Sequence, residues 1–372
     1  MTGIYVHIPF CQSRCIYCDF VSSTLGHEWQ ARYIGALERE MRARRLENGP
    51  ALARTLYIGG GTPSQLTAEN LQRLFRMIEE NFAFAPGAEF TLEANPDDIT
   101  ADLVSLLRDS PVNRISMGIQ STDDGVLRFL RRRHTADQAL QAIRRLQDAG
   151  FTNLSGDLIY GLPGQTEAMF EKDLETLLDT GLPHLSAYAL QYEQGTALYQ
   201  MLQRGEIPPE DEELSLRCYQ RLIDRTAAHG LEHYEISNFA RPGQHSRHNS
   251  SYWQGLPYLG FGAGAHSYDG RRTRRANTAD IRAYIQGAAP EEEVLGPDEL
   301  YDERVMLGLR TREGIDLGRL EADFGTAMLR HLLRQARPYI QGGRLKKTGE
   351  QLVLTRMGLF ISDAIMADLM AD

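Results

Sequence analysis

Cys11, Cys15 and Cys18 are three of only four cysteines in 372 residues, and they share one short stretch, Cys11-Gln12-Ser13-Arg14-Cys15-Ile16-Tyr17-Cys18-Asp19-Phe20. Disulfides pair thiols and would leave one over, whereas an iron–sulfur cubane uses three thiolates and keeps one iron open to another ligand. The expectation is a [4Fe-4S] cluster on Cys11, Cys15 and Cys18. A second unusual stretch holds His245 and then His248-Asn249-Ser250-Ser251-Tyr252-Trp253. An imidazole beside tryptophan and tyrosine suits a flat aromatic ligand, with His248 as metal ligand and rings stacked on its face. On residue types alone the alternative stands open: His248 as a polar loop residue and Trp253 as core.

Such residues need elements to hold them. Short apolar, β-branched runs at 4–8, 55–58, 89–93, 114–118, 153–159 and 184–190 read as strands. Between them, 28–45, 68–81, 101–108, 137–149 and 167–180 carry apolar residues at helical spacing, with Thr67, Thr100 and Thr166 as N-caps. Alternating units with short links imply a parallel sheet with helices outside. Gly59-Gly60-Gly61-Thr62-Pro63, Glu93-Ala94-Asn95-Pro96, Gly118-Ile119-Gln120-Ser121 and Asp157 with Gly161-Leu162-Pro163-Gly164 all fall at strand C-termini. One site built from several successive strand ends fits a barrel better than a two-crossover crevice.

Beyond residue 190 helices are expected at 197–204 and 210–229. Gly260-Phe261-Gly262-Ala263-Gly264-Ala265-His266 has the look of a dinucleotide-binding turn but lacks the first βα unit such a turn needs, so its glycines are read as allowing close backbone approach. Arg271-Arg272-Thr273-Arg274-Arg275 is either a solvated surface or a clamp for carboxylates. Residues 288–297 are expected to be a linker. It would separate a core of 1–287 from a C-terminal domain of 298–372, whose helices, hairpin around Gly349 and last helix suggest a winged-helix-like unit.

The formal net charge of −10 argues against general binding to phosphate backbones, and no nucleic-acid partner is expected. No apolar run reaches the roughly 18 residues of a spanning helix, and the first ten residues lack the features of an export signal. With so few cysteines, reduced thiols and a cytoplasmic setting are expected.

The CxxxCxxC loop, followed by the Gly-Gly-Gly-Thr-Pro turn, resembles the radical S-adenosylmethionine (SAM) superfamily. That likeness implies a [4Fe-4S] cluster whose open iron chelates SAM. The motifs at Tyr5 to Cys11, Gly59 to Pro63, Glu93 to Pro96, Asn113 to Ser121 and Asp157 to Pro163 are similar to the HemN-like, oxygen-independent coproporphyrinogen III dehydrogenase group over nearly the whole chain. It implies a partial (β/α)6 radical SAM barrel with a smaller, mostly helical C-terminal domain. It also implies SAM contacts from Tyr5, Tyr17, Gly60, Gly61, Thr62, Glu93, Gln120, Arg132 and Asp157. Arg131 stands where that group more often has glycine.

Phe20 occupies the position where the true dehydrogenases carry a further cysteine. Cys18-Asp19-Phe20 and the His248-Asn249-x-x-Tyr252-Trp253 motif instead resemble the haem chaperone branch, the HemW-like proteins. The resemblance implies haem bound near His248 and Trp253 and passed to haem-accepting proteins, by a monomer or homodimer that meets membranes only through an acceptor. Dehydrogenase activity on coproporphyrinogen is the alternative. Composition adds Arg271 and Arg274 as partners for haem propionates. After anaerobic reconstitution with iron and sulfide, Cys15→Ser is expected to lose the [4Fe-4S] absorption bands. Their full retention would overturn the cluster assignment.

Overall fold

The computed structural model describes residues 2–48 and 52–371. Six strands and the helices that connect them build the core: β1 (Thr2–Ile8), α1 (His27–Asn48), β2 (Leu52–Gly60), α2 (Ala68–Asn81), β3 (Ala83–Ala94), α3 (Ala101–Arg108), β4 (Arg114–Gln120), α4 (Asp124–Phe129), α5 (Ala136–Asp148), β5 (Leu154–Tyr160), α6 (Glu167–Leu178) and β6 (His184–Ala189). β1 through β6 are parallel neighbours in chain order. The strand alternation sorts side chains to two faces. In β4, Ile115, Met117 and Ile119 enter the apolar core under the helices, while Arg114, Ser116, Gly118 and Gln120 face a cavity on the inner side. The helices start where the caps predict: Thr67, Thr100 and Thr166 accept from the amides of Asn70, Leu103 and Met169. Each such cap contributes about 1 kcal/mol.

The arc of six strands does not close on itself. After β6 come α7 (Ala197–Gln203), α8 (Glu212–Ala228), β7 (Glu232–Glu235) and β8 (Asn238–Ala240), and β8 pairs antiparallel with β6. Then α9 (Arg247–Trp253) leads to β9 (Tyr258–Phe261), which runs parallel to β1 on the opposite flank. Next follow β10 (His266–Tyr268), β11 (Thr273–Ala276), α10 (Ile281–Ile285) and β12 (Glu291–Val294). The result is a single twelve-stranded sheet, an open partial barrel with antiparallel extensions on both sides.

One expectation is borne out here and one changes. The Gly260 segment forms β9 and the turn into β10: a Cβ on Gly260 would lie 1.9 Å from the His266 carbonyl oxygen, so the glycine lets two strands approach. The linker expected at 288–297 contains β12, whose Glu292 and Glu293 pair with Arg275 and Arg274 of β11. Opposite charges thus face each other across the two strands, a favourable pattern without apolar alternation.

The remaining chain forms α11 (Pro297–Arg310), β13 (Ile315–Asp316), α12 (Leu317–Gln341), β14 (Leu345–Thr348), β15 (Gln351–Leu354), α13 (Arg356–Leu359) and α14 (Ser362–Leu369). Gly325, at φ 83°, breaks α12 into two helices, which gives the three helical segments expected before the hairpin. A separate apolar core gathers Tyr301, Val305, Leu320, Leu332, Leu352 and Ile365. Ion pairs join this unit to the sheet: Glu303 to Arg274 at 2.5 Å and Arg310 to Glu235 at 2.9 Å. Among the described residues, no helix is long and apolar enough to cross a membrane.

Arg131, the position where the resemblance favours glycine, adopts φ 57°. A side chain there crowds the carbonyl, at a cost on the order of 1 kcal/mol. Arg131→Gly is therefore expected to raise the melting temperature by up to the equivalent of about 1 kcal/mol, and Arg131→Val to lower it. Equal melting temperatures for both variants would refute the strain.

Candidate functional site

A cavity of about 370 Å3 opens at the C-terminal ends of the parallel strands, lined by the three cysteines and by residues from β2 through β6. The cysteine loop is tied down on both sides. The Cys11 amide donates to the Ser23 carbonyl at 2.9 Å, the Ser23 amide to Pro9 at 2.6 Å, and the Leu198 amide of α7 to Ile16 at 2.8 Å. Cys11 Sγ lies 3.4 Å from Thr62 Oγ1, and Arg132 Nη1 donates to Cys15 Sγ at 3.3 Å. Burial pushes the Cys11 thiol up and the Cys18 thiol up to about 11. Among the described residues, no three His, Cys, Asp or Glu side chains converge on a point that would hold one ion. Three thiols spread along one loop around one cavity fit a polynuclear cluster, whose irons take one thiolate each.

Arg132 is the most firmly built of the expected residues. It also donates to Asn95 Oδ1 at 2.7 Å and to the Gly118 carbonyl, so the substitution at its neighbour Arg131 has not displaced it. Gln120 reaches the cavity from a left-handed backbone at φ 69°, beside the register shift between Gly118 and Gln120 that ends β4. Such strain in a non-glycine residue is typical of functional positions. Gly60, at φ 112°, needs to be glycine, because a Cβ would strike the His7 imidazole at 2.5 Å.

Two carboxylates and a guanidinium set the electrostatics. Glu93 accepts from the Tyr57 hydroxyl at 2.6 Å and from the Gly60 amide at 3.0 Å. Burial raises its pKa to about 7, with the Asp157 charge adding to the shift against these hydrogen bonds. Asp157, 3.5 Å from the Ser116 hydroxyl, is raised to about 6, again chiefly by burial. Arg114, which sequence reasoning did not single out, is 2% exposed and lines this cavity. Its guanidinium forms no hydrogen bond or ion pair with any described residue, yet its charge favours the anionic form of both carboxylates. The signal was there: an arginine in a strand otherwise apolar or small, two residues before Ser116.

Not all expected residues meet here. Cys11, Cys15, Cys18, Tyr17, Gly60, Gly61, Thr62, Glu93, Gln120, Arg132 and Asp157 line the cavity. Tyr5 lies behind Tyr57, ring centroids 6.2 Å apart, and bonds His7 Nδ1 at 2.9 Å. His248 is 1% exposed and points into the strands from α9. Its Nδ1 lies 2.8 Å from Thr55 Oγ1, its Nε2 2.8 Å from the Tyr252 hydroxyl, and its ring stacks on Tyr57 at 5.1 Å. With burial and Arg114 lowering its pKa to about 3, it is a neutral imidazole with both nitrogens engaged. As folded, both nitrogens of His248, expected as an iron ligand, face protein partners. Trp253, on another side of α9, stacks on the Arg310 guanidinium at 4.4 Å and lines a different cavity. Of the two arginines assigned to propionates, Arg274 is already paired with Glu303, and Arg271 lines the same second cavity as Trp253.

Comparison with known proteins agrees with this geometry. A family model described as the radical SAM superfamily matches residues 5–177, and one described as the HemN C-terminal domain matches 295–361. The heme chaperone HemW of Lactococcus lactis is 36% identical, the alignment covering 99% of this chain and 97% of that protein. HemW of Bacillus subtilis is 34% identical, with 98% of each covered. Coproporphyrinogen III oxidase (HemN) from Escherichia coli, a radical SAM enzyme, superposes with a TM-score of 0.87 at 24% identity, over 100% of this chain and 90% of that one.

Because Glu93 binds its proton more tightly in the folded state than at the ordinary value of 4.5, folding loses stability as pH rises from about 4.5 through about 7. Glu93→Gln removes that loss. The melting temperature of the variant relative to the parent is expected to climb between pH 5 and pH 8, and a pH-independent difference would show that Glu93 titrates as an ordinary carboxylate.

Proposed function

Because the chain belongs to the radical SAM superfamily and to the HemW-like proteins within it, we propose that it is a cytoplasmic haem chaperone, one that binds haem and hands it to haem proteins while holding a [4Fe-4S] cluster and SAM. The observation that carries this reading is the similarity to HemW along the full length, barrel and C-terminal unit together. Haem-accepting proteins are its partners. It acts as a monomer or homodimer and meets membranes only through an acceptor.

In this reading Cys11, Cys15 and Cys18 hold the cluster. When bound and reduced, the cluster supplies a low-potential electron at an open iron. The chain's own groups account for SAM recognition. Glu93 and Asp157, once ionised, are acceptors for an ammonium and for ribose hydroxyls, and Arg132 is a donor for a carboxylate while it also steadies Cys15. The Gly60-Gly61-Thr62 turn exposes backbone to the ligand, with Gly60 pinned by Glu93. Tyr17 and Gln120 complete the wall, and Tyr5 acts from behind through Tyr57. Arg114 offsets the negative charge of the two carboxylates at the cavity floor.

Phe20 is 63% exposed at the cavity mouth. It offers no thiol where the dehydrogenases carry one, which supports the chaperone over the dehydrogenase reading. Titration of the anaerobically reconstituted protein with haem is expected to give a shifted Soret band at a stoichiometry near one, with cluster absorption in the same sample. Absence of any band shift, or formation of protoporphyrinogen from coproporphyrinogen with SAM and reductant, would reverse this assignment.

A further inference from the structure

A second cavity, of about 720 Å3, separates the sheet from the C-terminal helices. It is nearly twice as large as the strand-end cavity and falls within the roughly 300–1,000 Å3 of sites for organic cofactors. Its walls come from separate parts of the chain: His245 and Trp253 from α9 and its approach, Arg271 from the turn after β10, Arg304 from α11 and Phe324 from α12. The haem-directed residues that the sequence suggested are thus divided. Trp253 and Arg271 face this space, whereas His248 is enclosed by Thr55 and Tyr252 on the barrel side.

His245 supplies an imidazole on the wall of this second cavity. Its side chain is 29% exposed, and Nε2, buried without a hydrogen bond, lies 3.4 Å from Glu232 Oε2, which Arg312 holds at 2.9 Å. The other ring nitrogen forms no hydrogen bond with any described residue. Neither nitrogen is committed to a hydrogen bond among the described residues, which leaves a lone pair for a metal. The ring is held by stacking on Tyr234, centroids 4.2 Å apart and planes 11° from parallel. Tyr234 is itself fixed, because its hydroxyl bonds His184 Nε2 at 2.8 Å.

Each of the four carboxylates lining the cavity is engaged, against three lining arginines. Glu303 is paired with Arg274, Asp323 with Arg304 at 2.9 Å, Glu313 with Arg312 at 3.2 Å, and Asp316 caps α12. Arg271 has no ion pair among the described residues. The Trp253 indole N–H is buried without an acceptor, a donor left unsatisfied until a ligand or water supplies one. An oriented imidazole, an indole, a phenyl ring and a guanidinium around one space match a planar iron tetrapyrrole with carboxylate arms.

We propose that haem binds in this interdomain cavity, with His245 as an axial ligand, Trp253 and Phe324 against the macrocycle and Arg271 at a propionate. The assignment rests on the haem chaperone reading and adds the site to it. In the full-length protein titrated with haemin, His245→Ala is expected to weaken binding at least tenfold and to lose the histidine-ligated signature in electron paramagnetic resonance or resonance Raman spectra. Added imidazole should restore that signature, and the cluster bands and far-UV circular dichroism should match the parent. Arg271→Glu should weaken binding severalfold without changing the axial-ligand spectrum. Parental affinity and spectrum in His245→Ala would overturn the site alone, and so would their loss in His248→Gln with a parental fold while His245→Ala binds normally. Failure of the parent to bind haemin would remove the chaperone reading and the site with it.

Discussion

Glu93 accepts hydrogen bonds from the Tyr57 hydroxyl and the Gly60 amide, and these two bonds join the end of β3 to the end of β2 where the triple-glycine turn begins. A carboxylate buried among strand ends is costly unless such donors surround it. The donors fix the turn, the turn sets Thr62 beside Cys11, and the cysteine loop is thereby seated over the cavity. Arg114 and Arg132 extend the same balance: one guanidinium acts on the two carboxylates by charge, without a hydrogen bond among the described residues, and the other is bonded to Cys15, Asn95 and Gly118. The inner face of the barrel is therefore a charged chamber. The rest of the core, with Ile115, Met117, Leu92 and Ile58 under the helices, provides the apolar cohesion that lets it exist.

The other end of this chamber is shut by α9. Glu89, 2% exposed, accepts from the amides of Arg247 and His248 at 3.0 Å each, and an acidic group at a helix start is favourable. His248 and Tyr252, one turn apart on the helix, then face inward together, bonded to each other. A motif that reads as a ligand site is, in the folded chain, a stopper made of aromatic and imidazole rings. Trp253 projects differently because successive helical positions are about 100° apart, and it reaches the interdomain side.

Much of this was legible in the sequence, for identifiable reasons. The six core strands are β-branched and bounded by turns, and α2 and α3 match the expected spans residue for residue because threonine caps mark their starts. The cavity residues at strand C-termini were found because a parallel array brings all its C-terminal ends to one side. What escaped has a different physical basis. β9 is only four residues long, and β11 with β12 sets arginines opposite glutamates and has no buried face. The partners of His248 are 193 positions away at Thr55 and four away at Tyr252, and only the first, long-range contact decides that the ring is closed off. Arg114 was hidden for a similar reason, since the carboxylates it acts on, Glu93 and Asp157, come from neighbouring strands distant in sequence.

Helix α11 holds both flanks of the open sheet. Its Glu303 grips Arg274 on the β11 side, and seven residues later Arg310 grips Glu235 on the β7 side, where Thr311 also bridges to Glu235. These strands lie near opposite ends of the twelve-strand order. The helix is thus a chord drawn across an arc, and a chord of fixed length sets the curvature. The gap that a conventional barrel closes by pairing its first and last strands is here spanned by a rod from another domain, so the mouth over the cysteines inherits its width from a unit that contributes no residue to it.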